Sequence, residues 1–90
     1  MTQQTTNPAR AALMRSAGDL VGSERLAREL DMSPRNVYQI MAGKRPVKDQ
    51  VLADTRKILI RYRQAIGDAV AAIRAEEASV AQYAAQEAGQ

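Results

Sequence analysis

Residues 23–42 read SERLARELDMSPRNVYQIMA, and their apolar pattern is the strongest structural signal in the chain. Counted from Ser23, apolar residues fall at positions 4, 5, 8, 10, 15 and 18, which are Leu26, Ala27, Leu30, Met32, Val37 and Ile40. This spacing predicts two short helices that meet near a right angle across a tight turn. Leu26 and Leu30 would form the inner face of the first helix, with Ala27 small where the helices cross. Val37 and Ile40 would form the inner face of the second.

Capping residues predict where the helices begin and end. Asn and Ser accept hydrogen bonds from the free N–H groups of a helix start, proline fits the first turn, and glycine favours the end. The predicted starts are Asn7 with Pro8, Ser23, and Ser33 with Pro34, and the predicted end of the third helix is Gly43. Gly18 to Gly22 is predicted as a turn, from which Leu20 and Val21 enter the core.

The turn between the two short helices contains Asp31 at a position that often requires a left-handed backbone. Glycine is the usual residue there. Aspartate adopts this conformation more readily than most other residues, at some energetic cost. The sequence therefore predicts a positive φ at Asp31.

A long amphipathic segment follows, from about Val47 to Glu87. Leu52, Leu59, Ile66, Ile73 and Val80 recur every seven residues, and Thr55, Tyr62, Ala69, Glu76 and Tyr83 follow each of them by three. One continuous helix would be roughly 60 Å long at about 1.5 Å per residue. Gly67 and Asp68 leave a two-helix alternative open, but the unbroken heptad favours one helix, straight or bent.

These patterns predict an all-α fold, a small helix-turn-helix bundle of four to five helices with a long C-terminal helix. The organisation predicted is a disordered lead over 1–7, a helix-turn-helix DNA-binding domain over 8–60, and a helical extension over 61–90 for dimerisation. The alternative for the extension is that it folds back and completes the core of a monomer.

The amino-acid composition argues against several kinds of catalytic and metal-binding site. The 90 residues include no Cys and no His, which removes thiolate chemistry and the commonest metal ligand and general base. Glu76 and Glu77 are adjacent on a helix, point apart, and cannot act as an acid/base pair. We therefore expect that the chain is not an enzyme and binds no cofactor or metal ion. Because the chain is short, we also expect no domain that senses a small molecule. No apolar run approaches the ~18 residues of a membrane helix, and the N-terminal stretch does not resemble a secretory signal, so a cytoplasmic location is expected.

Charge is unevenly distributed along the chain. Residues 1–63 hold twelve Lys and Arg against six Asp and Glu, a net +6, whereas residues 64–90 have a net −3. A basic first part and an acidic tail are typical of a nucleic-acid reader with a separate interaction element.

A DNA-binding helix-turn-helix places its second helix in the major groove, so the outward side chains of helix 34–42 are the candidates for reading bases. They are Ser33, Pro34, Arg35, Asn36, Tyr38 and Gln39. The candidates for holding phosphates are Ser23, Arg25, Arg28, Lys44, Arg45 and Lys48, although Arg25 and Arg28 have Glu29 and Asp31 nearby as alternative partners. Arg56, Lys57, Arg61 and Arg63 are assigned to solvent or to ion pairs.

The segment RLARELDMSPRNVYQIMAGKRPV, followed by an amphipathic helix, resembles the phage-repressor and Cro-like helix-turn-helix family over about residues 10–59. A glycine followed by basic residues, here Gly43, Lys44 and Arg45, is common after the second helix of that family. The resemblance implies a transcriptional regulator, most simply a repressor. The usual glycine of the turn is replaced by Asp31, and the long C-terminal segment lies outside the common core of the family.

The expected partners are double-stranded DNA carrying an inverted repeat and a second copy of the chain. Leu59, Tyr62, Ile66, Ala69, Ile73 and Val80 are assigned to the dimer contact. Two alternatives remain open: an antitoxin-like protein whose C-terminal helix binds a protein partner, and non-specific DNA compaction. The modest net charge disfavours compaction, which would predict weak sequence preference and a steep dependence on salt.

Overall fold

The computed structural model describes residues 7–88 and contains four helices in this range. They are α1 (Pro8–Val21), α2 (Ser23–Glu29), α3 (Pro34–Met41) and α4 (Asp49–Ala88). The predicted all-α fold, a small bundle with a long C-terminal helix, is confirmed. Apart from Asn7, the lead predicted for residues 1–7 lies outside the described residues.

The core lies where α1, α2, α3 and the first part of α4 meet. Its buried members are Met14, Ala17, Leu26, Ala27, Val37, Ile40, Val47 and Ile58. The inner faces predicted for α2 and α3 are confirmed, because Leu26 and Val37 are fully buried and Leu30 packs against the core from the side. Complete burial of a Leu or Val side chain contributes roughly 1.5–3 kcal/mol, so these positions fix how α3 sits on the bundle.

Two predicted helix starts are confirmed. Asn7 Oδ1 accepts hydrogen bonds from the backbone N–H groups of Ala9 at 2.9 Å and Arg10 at 3.3 Å. Ser33 Oγ accepts one from the N–H of Asn36 at 3.1 Å. Each bond satisfies a donor that the first turn of a helix leaves free.

The prediction that Ser23 caps α2 was wrong. Gly22 is the N-cap residue, with φ 91° and ψ 131°, and Ser23 is the first helical residue. A glycine adopts this positive φ without steric cost, so the chain turns at one residue between α1 and α2.

The turn predicted over residues 18–22 was also wrong, because α1 continues to Val21. Leu20 is 75% exposed rather than inserted into the core, whereas Val21 is half-buried and packs against the core as predicted. Gly18 lies inside the helix, and a Cβ there would lie 3.0 Å from Cε of Met41. This glycine therefore serves close packing between α1 and the end of α3, which the local sequence does not reveal.

The turn between α2 and α3 has the left-handed residue that was predicted. Asp31 has φ 57°. The N–H of Met32 donates to the carbonyl of Ala27 at 2.9 Å, and that of Asp31 donates to Arg28 at 3.1 Å. This pair of bonds is a Schellman motif, which satisfies carbonyls at a helix end. The same motif ends α3, with its left-handed position at Gly43.

Helix α4 is continuous over 40 residues and passes through Gly67, as the single-helix interpretation predicted. Its first part packs on the bundle, while every residue from 63 to 87 is exposed. The molecule is accordingly elongated, measuring 78 × 21 × 20 Å. Within residues 7–88, none of the helices has the length and apolar character required to cross a membrane.

Candidate nucleic-acid interface

The outward surface of α3 brings together most of the residues predicted to read bases. Pro34, Arg35, Tyr38, Gln39, Ala42 and Lys44 line one shallow depression there. The opposite face carries Val37 and Ile40, which are 0% and 3% exposed. Because those two anchors are buried, the outward residues are held on a firmly seated helix. We call this surface the α3 face.

Ala42 was missing from the sequence prediction, although the pattern contains the signal. It follows Arg35 by seven residues and Tyr38 by four, which is the spacing of one helix face. Its small side chain lets the end of α3 approach a flat partner closely, and an alanine methyl is one of the groups that can contact a thymine methyl.

Ser33 and Asn36 do not line the α3 face. Ser33 is exposed, but its Oγ accepts the capping bond from Asn36, which leaves its O–H as a donor for another group. Asn36 is half-buried in a separate cleft, whose lining includes Arg45, Lys48 and Asp54. The two predicted base readers are therefore placed at the start and along one flank of α3.

Tyr38 connects the α3 face to the start of α2. The hydroxyl of Ser23 donates to the hydroxyl of Tyr38 at an Oγ–Oη distance of 3.4 Å, and Tyr38 is 51% exposed. Two hydroxyl groups thus lie together at one edge of the α3 face. Both can form a further hydrogen bond, and a phosphate oxygen is a suitable acceptor.

Gln39 has a half-buried side chain whose Oε1 is shielded and has no hydrogen-bond partner among the described residues. A buried acceptor without a donor costs free energy. This cost is removed if the Gln39 amide rotates toward solvent and its Oε1 accepts a hydrogen bond from a donor on a bound partner. An adenine edge offers a donor and an acceptor side by side, which matches the two ends of the amide group.

Two arginines of α1 hold the C-terminal side of α3 and the loop after it. Arg15 donates from Nη1 to the carbonyl oxygen of Met41 at 2.6 Å. Arg10 donates from Nη1 to the carbonyl oxygen of Val47 at 2.7 Å and pairs through Nη2 with Asp49 at 2.8 Å. Sequence reasoning missed both roles, because the contacts join residues 26 and 37 positions apart.

The predicted phosphate-binding residues divide into two groups. Arg28, Lys44, Arg45 and Lys48 are exposed. No carboxylate within the described range lies at ion-pair distance from any of them, since the two ion pairs found there are Arg10–Asp49 and Arg61–Glu29. These four cations are available to an external anion.

Arg25 is exposed as well, but its guanidinium group is turned toward α4. Its Cζ lies 6.0 Å from the centre of the Tyr62 ring, a cation–π distance. Glu29 forms an ion pair with Arg61 of α4, with Nη2 of Arg61 2.9 Å from Oε1 of Glu29, which agrees with the pairing role predicted for Arg61. The alternative partner of Arg25 is thus an aromatic ring and not a carboxylate.

The residues predicted for dimerisation fall into a half-buried group and an exposed group. Leu59 and Tyr62 are half-buried and pack against the core of their own chain. Ile66, Ala69, Ile73 and Val80 are exposed. Val70, 42% exposed, lies on the same side of the helix as Ile66 and Ile73, because it follows one by four residues and precedes the other by three. The heptad assignment had missed it.

Comparisons of the chain with protein-family models, curated proteins and solved structures find no match. The geometry and chemistry of the α3 face and of α4 are therefore what bear on function.

Proposed function

We propose that this chain is a sequence-specific transcriptional regulator that binds double-stranded DNA, acting as a small dimeric repressor. In this proposal the helix predicted over residues 34–42 enters the major groove of an inverted-repeat operator. In the structure this helix is α3, Pro34–Met41. The observation that carries the proposal is the α3 face, where Arg35, Tyr38 and Gln39 project from a helix seated by Val37 and Ile40. A helix with its side chains is about 10–12 Å across, which fits the major groove of about 12 Å.

Base recognition is assigned to the long polar side chains of the α3 face. Arg35 matches the O6 and N7 acceptors of guanine in a bidentate contact, and Gln39 matches the N6 donor and N7 acceptor of adenine. Tyr38 and Ala42 supply apolar contact for a thymine methyl. Each well-formed bidentate pair contributes about 1–3 kcal/mol of discrimination against the wrong base pair.

Phosphate binding is assigned to groups around the rim. Lys44, Arg45 and Lys48 follow α3 in a loop that Arg10 holds in place, and Arg28 projects from α2. The hydroxyl pair of Ser23 and Tyr38 adds uncharged donors. Contacts of this kind fix the register of a protein on DNA and make affinity fall with salt, but carry no sequence information by themselves.

Dimerisation is assigned to the exposed part of α4. One helix-turn-helix reads few base pairs, whereas a two-fold dimer reads two half-sites on one side of the duplex. The apolar side chains of α4 beyond residue 63 remain in solvent in the single chain, and a stripe of this kind is typical of an interaction surface. Repression then follows because the bound dimer excludes polymerase from the same DNA.

The experiment that tests this function is selection of bound duplexes from a random DNA pool at about physiological salt, where non-specific binding is weak. The expected result is enrichment of one inverted repeat. The double variant Arg35→Ala, Gln39→Ala should lose that enrichment while remaining folded. Lys57→Ala removes one exposed cation that lies outside both the α3 face and the apolar stripe of α4, and it serves as the matched control, which should enrich the same repeat as the original chain. Absence of enrichment with the original chain would overturn the proposal.

A further inference from the structure

The exposed part of α4 carries opposite charges at the two ends of its apolar stripe. Ile66, Val70, Ile73 and Val80 are between 42% and 61% exposed and follow one another at helix-face spacing. The same spacing, continued toward the bundle, reaches Arg63 and Arg56. Glu77 lies in the same row between Ile73 and Val80, and the spacing continued toward the C-terminus reaches Glu87. We call this row the α4 ridge, basic at its proximal end and acidic at its distal end.

An apolar groove on the bundle continues the α4 ridge. It lies between α1 and α4, and Leu13, Leu20, Ile60, Arg56 and Arg63 are among the residues that line it. Leu13 and Leu20 are 57% and 75% exposed, although they belong to the folded domain. The groove and the ridge share Arg56 and Arg63, so one long partner surface covers both.

The charges decide how two copies can pair along the α4 ridge. A parallel, in-register pair places every residue against its own copy, so Arg63 faces Arg63 and Glu77 faces Glu77. Like charges across a helix seam destabilise the pair and select against that orientation. An antiparallel pair brings the basic end of each ridge to the acidic end of the other.

We infer that two copies of this chain associate through antiparallel α4 helices, crossing about residues 70–73. The inference rests on the proposal that the chain acts as a homodimer, and it specifies the surface and the orientation. With this centre, Arg63 of one copy lies within reach of Glu77 of the other, and Arg56 is level with Glu87. Both contacts occur twice because the pair has two-fold symmetry.

The same register places the distal end of α4 on the groove of the second copy. Val80 then lies level with Tyr62 and Arg63, next to the exposed side chains of Leu20 and Ile60. The arrangement therefore covers the apolar groove of the bundle as well as the stripe on α4. The two helix-turn-helix units stand at opposite ends of the antiparallel pair.

Charge reversal in solution, without DNA, tests the pairing. Arg63→Glu and Glu77→Arg should each raise the dimer dissociation constant by about tenfold or more, because two attractive contacts become repulsive. The double variant Arg63→Glu, Glu77→Arg should restore association. Lys57→Glu is the matched control, since Lys57 is exposed and lies off the α4 ridge, and it should leave association unchanged. Sedimentation equilibrium gives the constants, and circular dichroism confirms that each variant is folded.

A distance measurement tests the orientation independently. The chain has no Cys, so Ala85→Cys accepts a single spin label on an exposed position of α4. The antiparallel register separates the two labels by about 40 Å along the helix axes, at about 1.5 Å per residue. A parallel pair keeps them within about 20 Å, since packed helix axes are about 8–10 Å apart.

The outcomes separate the inference from the proposed function. A short label distance would overturn the antiparallel arrangement while leaving a DNA-binding dimer intact. A monomer at micromolar concentration would overturn the inference and leave the α4 ridge as a surface for a different protein. Long label distances with restored association of the double variant would establish the inference, even if the DNA selection enriched nothing.

Discussion

Arg15 donates from Nη1 to the carbonyl oxygen of Met41 at 2.6 Å, which fastens the last turn of α3 to α1. The last carbonyls of a helix have no partner inside it, and a cation there also interacts favourably with the helix dipole. The contact therefore holds the end of α3 next to Ala42 and Lys44, at the edge of the proposed DNA-binding surface.

Arg15→Ala should loosen this end of α3 with a modest loss of stability, about 0.5–1.5 kcal/mol for one exposed hydrogen bond. Amide hydrogen exchange should become faster at Ala42, Gly43 and Lys44, and operator affinity should fall severalfold because Lys44 is less well placed. Lys57→Ala, at an exposed position away from α3 and from the apolar stripe of α4, is the control. Unchanged exchange at these three amides would contradict the anchoring role of Arg15.

Arg10 makes two contacts of different value, which can be separated by mutation. Arg10→Ala should cost about 1–3 kcal/mol, because it removes a charged donor from the partly buried Val47 carbonyl as well as the ion pair. Asp49→Asn removes the ion pair together with one negative charge from the first turn of α4, and since the Asp49 side chain is 92% exposed the combined cost should stay below about 1 kcal/mol. Urea unfolding measures both. Equal losses would show that the Val47 contact contributes nothing.

Asp31 provides a test of backbone strain in the turn before α3. Its φ of 57° is left-handed, which glycine adopts freely and a β-branched residue adopts at high cost. Asp31→Gly should be neutral or stabilise the fold by up to about 1 kcal/mol, and Asp31→Val should destabilise it by about 1–3 kcal/mol. The denaturant concentrations at the midpoints of unfolding give the order of stability of the original chain and the two variants. A Val variant as stable as the Gly variant would be inconsistent with the left-handed turn.

Two helical glycines should respond differently to alanine. A Cβ at Gly67 meets nothing within 4 Å, so Gly67→Ala should gain about 0.5–1 kcal/mol of local helix stability. A Cβ at Gly18 would lie 3.0 Å from Met41 Cε and 3.3 Å from its Sδ, so the same gain is offset by crowding at the end of α3. Amide exchange near residue 67 and global unfolding provide the readouts. A larger gain at Gly18 than at Gly67 would contradict the close packing between α1 and α3.

Local patterns predicted the local part of the structure well. Leu26, Val37 and Ile40 are buried as their spacing indicated, and the left-handed turn at Asp31 follows from chain geometry over a few residues. The prediction for Leu20 failed because Gly18 was interpreted as a turn former, whereas its role depends on Met41, 23 positions later.

The candidate site on α3 could also be predicted from local sequence patterns, but contacts between distant helices could not. The outward residues of α3 follow from the inward ones, so Arg35, Tyr38 and Gln39 were predicted to project together, and they line one surface. The placement of Arg25 over Tyr62 was not predictable, because it depends on where α4 crosses α2. Periodicity along one helix carries no information about such a crossing.

The specificity ratio of the folded protein tests most directly whether the α3 face reads bases. We would measure affinity by competition at about 150 mM salt, for the selected duplex and for a scrambled duplex of the same length and composition. The expected preference is about 1,000-fold or more, and Arg35→Ala should reduce it by about 5- to 150-fold, the equivalent of 1–3 kcal/mol. Equal affinity for both duplexes, unchanged by Arg35→Ala, would contradict the proposal that α3 recognises a DNA sequence.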